Sequence, residues 1–501
     1  MIRNSVADIV ALGAVEYGKK AALIIGEQVV SYTELDALCG AFAAGLHEDG
    51  LTPGDRVTLY GANCLEWVVA FHGTIRAGGV INPVNMMLTA DEIDYVVRDC
   101  GAAFVYVEDG KYPEVSRLSS IETLKAVKRF SDVLAIDTKS VTGKARETVN
   151  SSADALCMIG YTSGTTGHPK GAMLSNQSVL MNAQFTALMH GRNSDDIVVS
   201  ALPLSHVYGN VVMNSVLLTG GALVLHSAFG ADAILQSISH WRATIFEGVP
   251  TMYYYLLDCL EGARADLSSL RLCTVGGQTM PVAKMQLAEE VFDCPLIELW
   301  GMTEIAGLGT THPYMGPYRH GSIGVALPFC ETRIVSTENA QQELKPGEIG
   351  ELLFRGPLVM IGYYNKEEAT REAIDAEGWL HTGDVAQIDE RGFIHIVDRK
   401  KDMILTAGYN IYPAELERVI ATHPAVSMSA VGGVPDSQKG EIPKAYIVLK
   451  EGAYVGEDEI IAHCRKSLAA YKVPRAVKFV DDLPKTSSGK IMRRALRELD
   501  A

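Results

Sequence analysis

At 501 residues the chain has room for two or more domains, each large enough to bury its own core. Its 48% hydrophobic and 21% charged content is that of an ordinary soluble globular protein. Set against 60 Asp and Glu, its 44 Lys and Arg leave a net charge of −16, which disfavours nucleic acid as a bulk partner because phosphate neutralisation needs clustered positive charge.

The nine cysteines are scattered singly, without a C-x-x-C pair or a zinc-type spacing, which predicts a reducing, cytoplasmic setting. Neither end of the sequence reads as a targeting signal. Residues 197–231 carry no Asp, Glu, Lys or Arg, a length that would cross a bilayer. Pro203, Gly209, Gly220-Gly221 and two histidines interrupt the stretch, so it reads as a buried core segment and no membrane span is expected.

In chain order, Ser31-Tyr-Thr-Glu34 is a capping box opening a helix whose apolar residues are Leu35, Leu38, Phe42 and Leu46. A strand follows at 56–60, a helix at 65–76 and a strand at 79–82. Thr89-Ala-Asp-Glu92 is a second capping box, opening a helix to residue 99, and a strand closes the series at 104–107. This alternation predicts βαβ units and a largely parallel sheet. Residues 111–150 are weakly patterned. Further on, a helix is expected at 175–189 and strands at 197–201, 222–225 and 270–275, with a strand running into a loop at 297–304. From residue 347 the texture becomes β-rich, with turns at Pro346-Gly347, Glu377-Gly378 and Arg391-Gly392. A strand at 393–397 leads into the charge cluster Asp398-Arg-Lys-Lys-Asp402. Beyond it come a helix at 413–422, strands near 429–434 and 444–449, and a helix at 457–468.

Between these elements lies Tyr161-Thr-Ser-Gly-Thr-Thr-Gly-His-Pro-Lys-Gly171. Glycine lets backbone N–H groups approach an anion closely, hydroxyls add donors, and Lys170 adds charge. Phosphate binding and a flexible linker both suit such a loop, but Pro169, Lys170 and the apolar run before it favour phosphate. It is not a Walker A loop: Pro169 and Gly171 occupy positions where that pattern needs Gly and Ser or Thr.

The run T-S-G-T-T-G-x-P-K-G resembles the signature of the adenylate-forming enzymes: acyl-CoA synthetases, luciferases and peptide-synthetase adenylation domains. Trp300-Gly-Met-Thr-Glu304 resembles the family's Tyr-Gly-x-Thr-Glu, with Trp in place of Tyr and its phenol lost. Trp379-Leu-His-Thr-Gly-Asp384 and Pro484-Lys-Thr-Ser-Ser-Gly-Lys490 resemble two further signatures.

The resemblance spans essentially the whole chain and implies an α/β fold in two parts. A large N-terminal domain, 1–398, would contain βαβ-layered sheets and a β-rich subdomain. A hinge at 399–402 would join it to a small mobile α+β domain, 403–501. The implied activity is that of an ATP- and Mg²⁺-dependent acid–CoA ligase, forming acyl-AMP and then acyl-CoA. Its partners would be a small carboxylic acid, ATP and CoA, and the assembly leaves room for a homodimer. Acyl transfer to an amine or a carrier protein is the nearer alternative, and a non-catalytic nucleotide-binding protein the more distant one.

By the same resemblance, Thr162, Ser163, Gly164, Thr165, Thr166, Gly167 and Lys170 hold phosphates, and Thr303 and Glu304 serve catalysis, Glu304 as the Mg²⁺ carboxylate. Gly276, Gly277, Gln278, Glu298, Leu299, Trp300 and Gly301 line the nucleotide, with Gln278 crowding the base where Ala is commoner. Asp384 and Arg399 take the ribose, and Gly408 lets pantetheine pass. Lys490 bridges the carboxylate and the α-phosphate, and Lys401 is the hinge residue. His206, Tyr208, Val249 and Met302 line the acyl pocket, His206 also serving catalysis at the carboxylate or alternatively being a satisfied core histidine. Arg493 and Arg494 read as surface charge.

Overall fold

Two helices begin where the sequence carries a reciprocal cap. The Ser31 and Thr89 side chains accept from the amides of Glu34 and Glu92, whose carboxylates return the bond, opening the helices Tyr32–Glu48 and Ala90–Cys100. This computed structural model describes residues 5–135, 152–162, 169–260, 265–406, 409–436, 440–486 and 490–500.

The described residues form four sheets. In the first, of seven strands, Arg56–Tyr60, Val80–Val84 and Ala102–Val107 run parallel, as the βαβ pattern predicts. Val80–Val84 also runs parallel to Leu156–Thr162, which turns back as an antiparallel hairpin onto Lys170–Ser175. A nine-stranded sheet carries Leu296–Met302, Leu272–Val275, Ile245–Gly248, Ile197–Ser200 and Ala222–Leu225 side by side. Residues 197–225 therefore supply two strands of this sheet, with the helix Val207–Thr219, almost wholly buried, between them in the chain. Among the described residues, no helix is long and apolar enough to cross a membrane.

The β-rich subdomain is a four-stranded antiparallel sheet, Glu331–Val335, Gly350–Arg355, Leu380–Ile388 and Ile394–Arg399. Gly347, Gly378 and Gly392, in the three expected turns, have φ of 88°, 82° and 86°, which L side chains rarely adopt. The last sheet belongs to the C-terminal part and is built on the long hairpin Val426–Asp436 and Gly440–Leu449. One core there gathers Ile404, Leu416, Ile420, Val431 and Ile460. Met428, Ala430, Tyr446, Leu483 and Leu496 instead join the core of the large domain. The C-terminal sheet is thus docked on its neighbour by one apolar face.

Candidate active site

The ribose-side residues meet through strand register. Asp384 and Arg399, fifteen positions apart, are direct partners across the antiparallel strands Leu380–Ile388 and Ile394–Arg399. The guanidinium Nε lies 3.2 Å from one Asp384 oxygen. The other accepts the indole N–H of Trp300 at 2.7 Å. The Trp-for-Tyr exchange therefore loses a phenol but supplies a donor that orients the carboxylate. The indole is almost fully buried, which raises the value of that bond.

Thr303 and Glu304 follow the strand Leu296–Met302 in a short 3₁₀ turn. Gly160 makes room for Thr303: a Cβ there would stand 2.7 Å from the threonine methyl. Glu304 accepts the Tyr363 hydroxyl at 2.7 Å, and the ammonium of Lys170 lies over the Tyr363 ring. Burial lifts the Glu304 carboxyl above its ordinary value, while the Tyr363 hydroxyl and Arg399 oppose the shift. One carboxylate beside a hydroxyl is the donor set magnesium uses when substrate phosphates complete its shell, so the residues fit that ion. Thr162 and Lys170 pair across the hairpin at the mouth of the glycine-rich run. Ser163, Gly164, Thr165, Thr166 and Gly167 lie outside the described residues, as does Gly408.

Lys490 enters from the C-terminal part and lies against Gly277, whose φ is 88°; a Cβ at Gly277 would stand 2.7 Å from the lysine Cε. Burial, reinforced by Arg399 and opposed by Asp384, pulls the Lys490 ammonium down to about 8. Burial and the charge of Lys490 push His206 down to about 3, so its imidazole is neutral across the physiological range. His206 Nδ1 accepts the Tyr208 amide at 3.2 Å, capping the helix Val207–Thr219 and leaving Nε2 to carry the proton.

Val249 also faces Gly277, 3.5 Å from the same Cβ position. Met302 ends its strand half-buried. The Tyr208 hydroxyl turns inward to Glu247 at 3.0 Å and Thr274 at 2.8 Å, and the fully buried Glu247 pairs with the equally buried Arg192. Leu299 packs on Gly276, and Gly301 lies against the Gly307 carbonyl of the neighbouring strand. The Glu298 carboxyl accepts the Met280 amide at 3.5 Å and is pushed up to about 8 by burial.

Two side chains make bonds that the sequence does not announce. Gln278 bonds the C-terminal part: its Oε1 accepts the Ile491 amide at 3.0 Å and its Nε2 donates to the Ile491 carbonyl at 3.3 Å. Arg493 is not surface charge: it bonds Asp398 at 2.9 Å, Glu417 at 2.7 Å and Asp402 at 3.4 Å. Its partners lie 76 to 95 positions away, beyond any local pattern. Lys401 sits in the turn beside Asp402, solvent-exposed, its ammonium depressed by partial desolvation and by Arg399. Tyr363, 59 positions from Glu304, carried no sequence signal at all.

Residues 12–364 match the family model of the AMP-binding enzymes, and residues 415–490 that of the AMP-binding enzyme C-terminal domain. A long-chain-fatty-acid–CoA ligase of Bacillus subtilis (strain 168) is 35% identical over 491 residues, covering 91% of this chain and 87% of its own. A feruloyl-CoA synthase of an Amycolatopsis species is 36% identical, covering 94% of each. The ATP-bound crystal structure of MatB from Rhodopseudomonas palustris superposes with a TM-score of 0.91 at 33% identity, covering 99% of both chains. The apo crystal structure of MatB, over the same share of both chains, superposes with 0.80. The chain belongs to the AMP-binding enzymes, the adenylate-forming family.

Proposed function

We propose that this AMP-binding enzyme is an acid–CoA ligase acting on a compact acid, aromatic or short-chain. It joins the acid to ATP as acyl-AMP with release of pyrophosphate, then passes the acyl group to CoA and frees AMP. The observation that carries the reading is the convergence of Lys490, His206, Glu304, Asp384 and Arg399 on one cleft between the two parts of the chain.

In the first step a carboxylate oxygen attacks the α-phosphorus and the bond to the pyrophosphate oxygen breaks. Both reactants are anions, so positioning and charge neutralisation dominate. Bound magnesium would lower the charge on the phosphates. Lys490 is the cation placed between the carboxylate and the α-phosphate, and His206 Nε2–H is the donor that orients the carboxylate. Asp384, fixed by Trp300 and Arg399, accepts the ribose hydroxyls. Thr162, Thr303 and Lys170 serve the departing phosphates. In the second step the CoA sulfur attacks the acyl carbon, the bond to AMP breaks, and the thiol proton passes to solvent. Rotation about Lys401 would withdraw Lys490 between the steps.

We take support for a compact acid from the buried network beside His206. An acyl chain that ran past His206 along the helix Val207–Thr219 would meet Tyr208, Glu247, Thr274 and Arg192, a bonded and buried network. Separating such an ion pair costs about 3–5 kcal/mol, more than a few methylenes recover. This agrees with the acid named for the feruloyl relative rather than with those of the long-chain ligases. Pyrophosphate release across a panel from acetate to palmitate, with benzoate and cinnamates, tests it. Aromatic or short acids should lead, and palmitate as the best substrate would overturn the assignment. Product masses with CoA and with an amine separate thioester from amide, and an amide alone would overturn CoA as the acceptor.

A further inference from the structure

We infer that Gln278 is a positioning residue for the adenylation step, a clasp by which the large domain holds the Lys490 loop in the cleft. This rests on the role proposed for Lys490. Among the described residues, the loop carries several bonds within itself. The Lys490 amide donates to the Thr486 hydroxyl, the Thr486 amide donates to the Lys490 carbonyl, and Lys485 pairs with Ile491 as an isolated antiparallel bridge. None of these contacts says where the loop sits relative to the large domain.

Gln278 does. Its amide meets both backbone groups of Ile491, the residue next to Lys490, as a neighbouring strand would. Gly277, one position earlier, supports the lysine methylenes from the same stretch of backbone. A second crossing contact lies at the other end of the loop, where the Lys485 ammonium donates to the Tyr255 hydroxyl at 2.7 Å. Gln278 and Ile491 stand on opposite sides of the hinge cluster, so their two bonds exist only while Lys490 faces the cleft. Domain rotation breaks both. The clasp therefore favours the adenylating arrangement over the alternative, and a residue with differential contacts in two states shifts their populations. Asn is one methylene shorter, Ala has no amide, and Glu keeps the acceptor while setting a carboxylate beside the Ile491 carbonyl.

The test compares the two half-reactions in Gln278→Ala and Gln278→Glu. Acid-dependent pyrophosphate release should fall about five- to tenfold in Gln278→Ala, the value of two backbone hydrogen bonds that compete with water. Consumption of the CoA thiol from supplied acyl-AMP should stay level or rise, and Gln278→Glu should lie between Ala and the wild type in the first half-reaction. Equal loss of both half-reactions would reduce Gln278 to a structural role and overturn the inference, as would no change in either. The wild type separates the two levels of argument: no pyrophosphate from it with any acid would remove the proposed function itself.

Discussion

On the wall of the cleft formed by the large domain, the two carboxylates are held by side chains that share their framework. Asp384 is held between Arg399 and Trp300, and Glu304 by Tyr363. On the opposite wall, Lys490 depends on a loop that reaches the large domain through Gln278 at one end and Lys485 at the other. The first wall is pre-organised by sheet register and burial; the second is assembled by contacts that can be broken. An enzyme with two successive reactions to perform in one cleft has reason to build its walls so unequally.

The contrast is broken most severely by Lys490→Ala. Removing the one group that shields the attacking carboxylate from the α-phosphate should cut pyrophosphate release by roughly 10²–10³-fold. Thioester formation from supplied acyl-AMP should persist, because that step is assigned to an arrangement from which Lys490 has withdrawn. Loss of both half-reactions to the same extent would contradict the assignment.

Trp300→Phe probes the rigid wall. It keeps the aromatic face against Phe354 and removes only the N–H that fixes Asp384. A bond from a neutral donor to a charged acceptor contributes about 1.5–3 kcal/mol, so KM for ATP should rise by one order of magnitude or more. An unchanged KM would show that Arg399 alone suffices to orient the carboxylate.

The smallest effect is a pH limb. Lys490 serves as a cation and its ammonium is depressed to about 8 in the free enzyme. It is charged below that value and loses its proton above it. Adenylation kcat/KM should therefore fall as pH rises through about 8, whereas kcat, with ATP phosphates beside the ammonium, should hold to higher pH. His206, neutral on both sides of neutrality, adds no limb near 6. A rate still rising at pH 9 in kcat/KM would exclude Lys490 as the required cation.

What could be read without coordinates follows the range of each interaction. The capping boxes at Ser31 and Thr89 are closed within four residues, and both helices begin where expected. Asp384 was visible in a signature and Arg399 in the charge cluster, but only the register of two strands makes them partners. Arg493 was misjudged because its partners lie far along the chain, and the Gln278–Ile491 bonds went unforeseen because they span 213 positions. The uncharged stretch 197–231 was judged correctly, since internal prolines and glycines already divide it into pieces too short for a bilayer.

Asp398 also bears on how this protein can be cut and rejoined. It lies one residue before the end of the strand Ile394–Arg399, yet one of its oxygens accepts the Ala414 amide in the first turn of the helix Pro413–Ile420 and the other pairs with Arg493. The C-terminal part thus borrows a helix cap and a counter-ion from before the charge cluster. A fragment or graft that starts at residue 403 leaves both behind; one that starts a few residues before 398 carries them along, and is the better place for a junction.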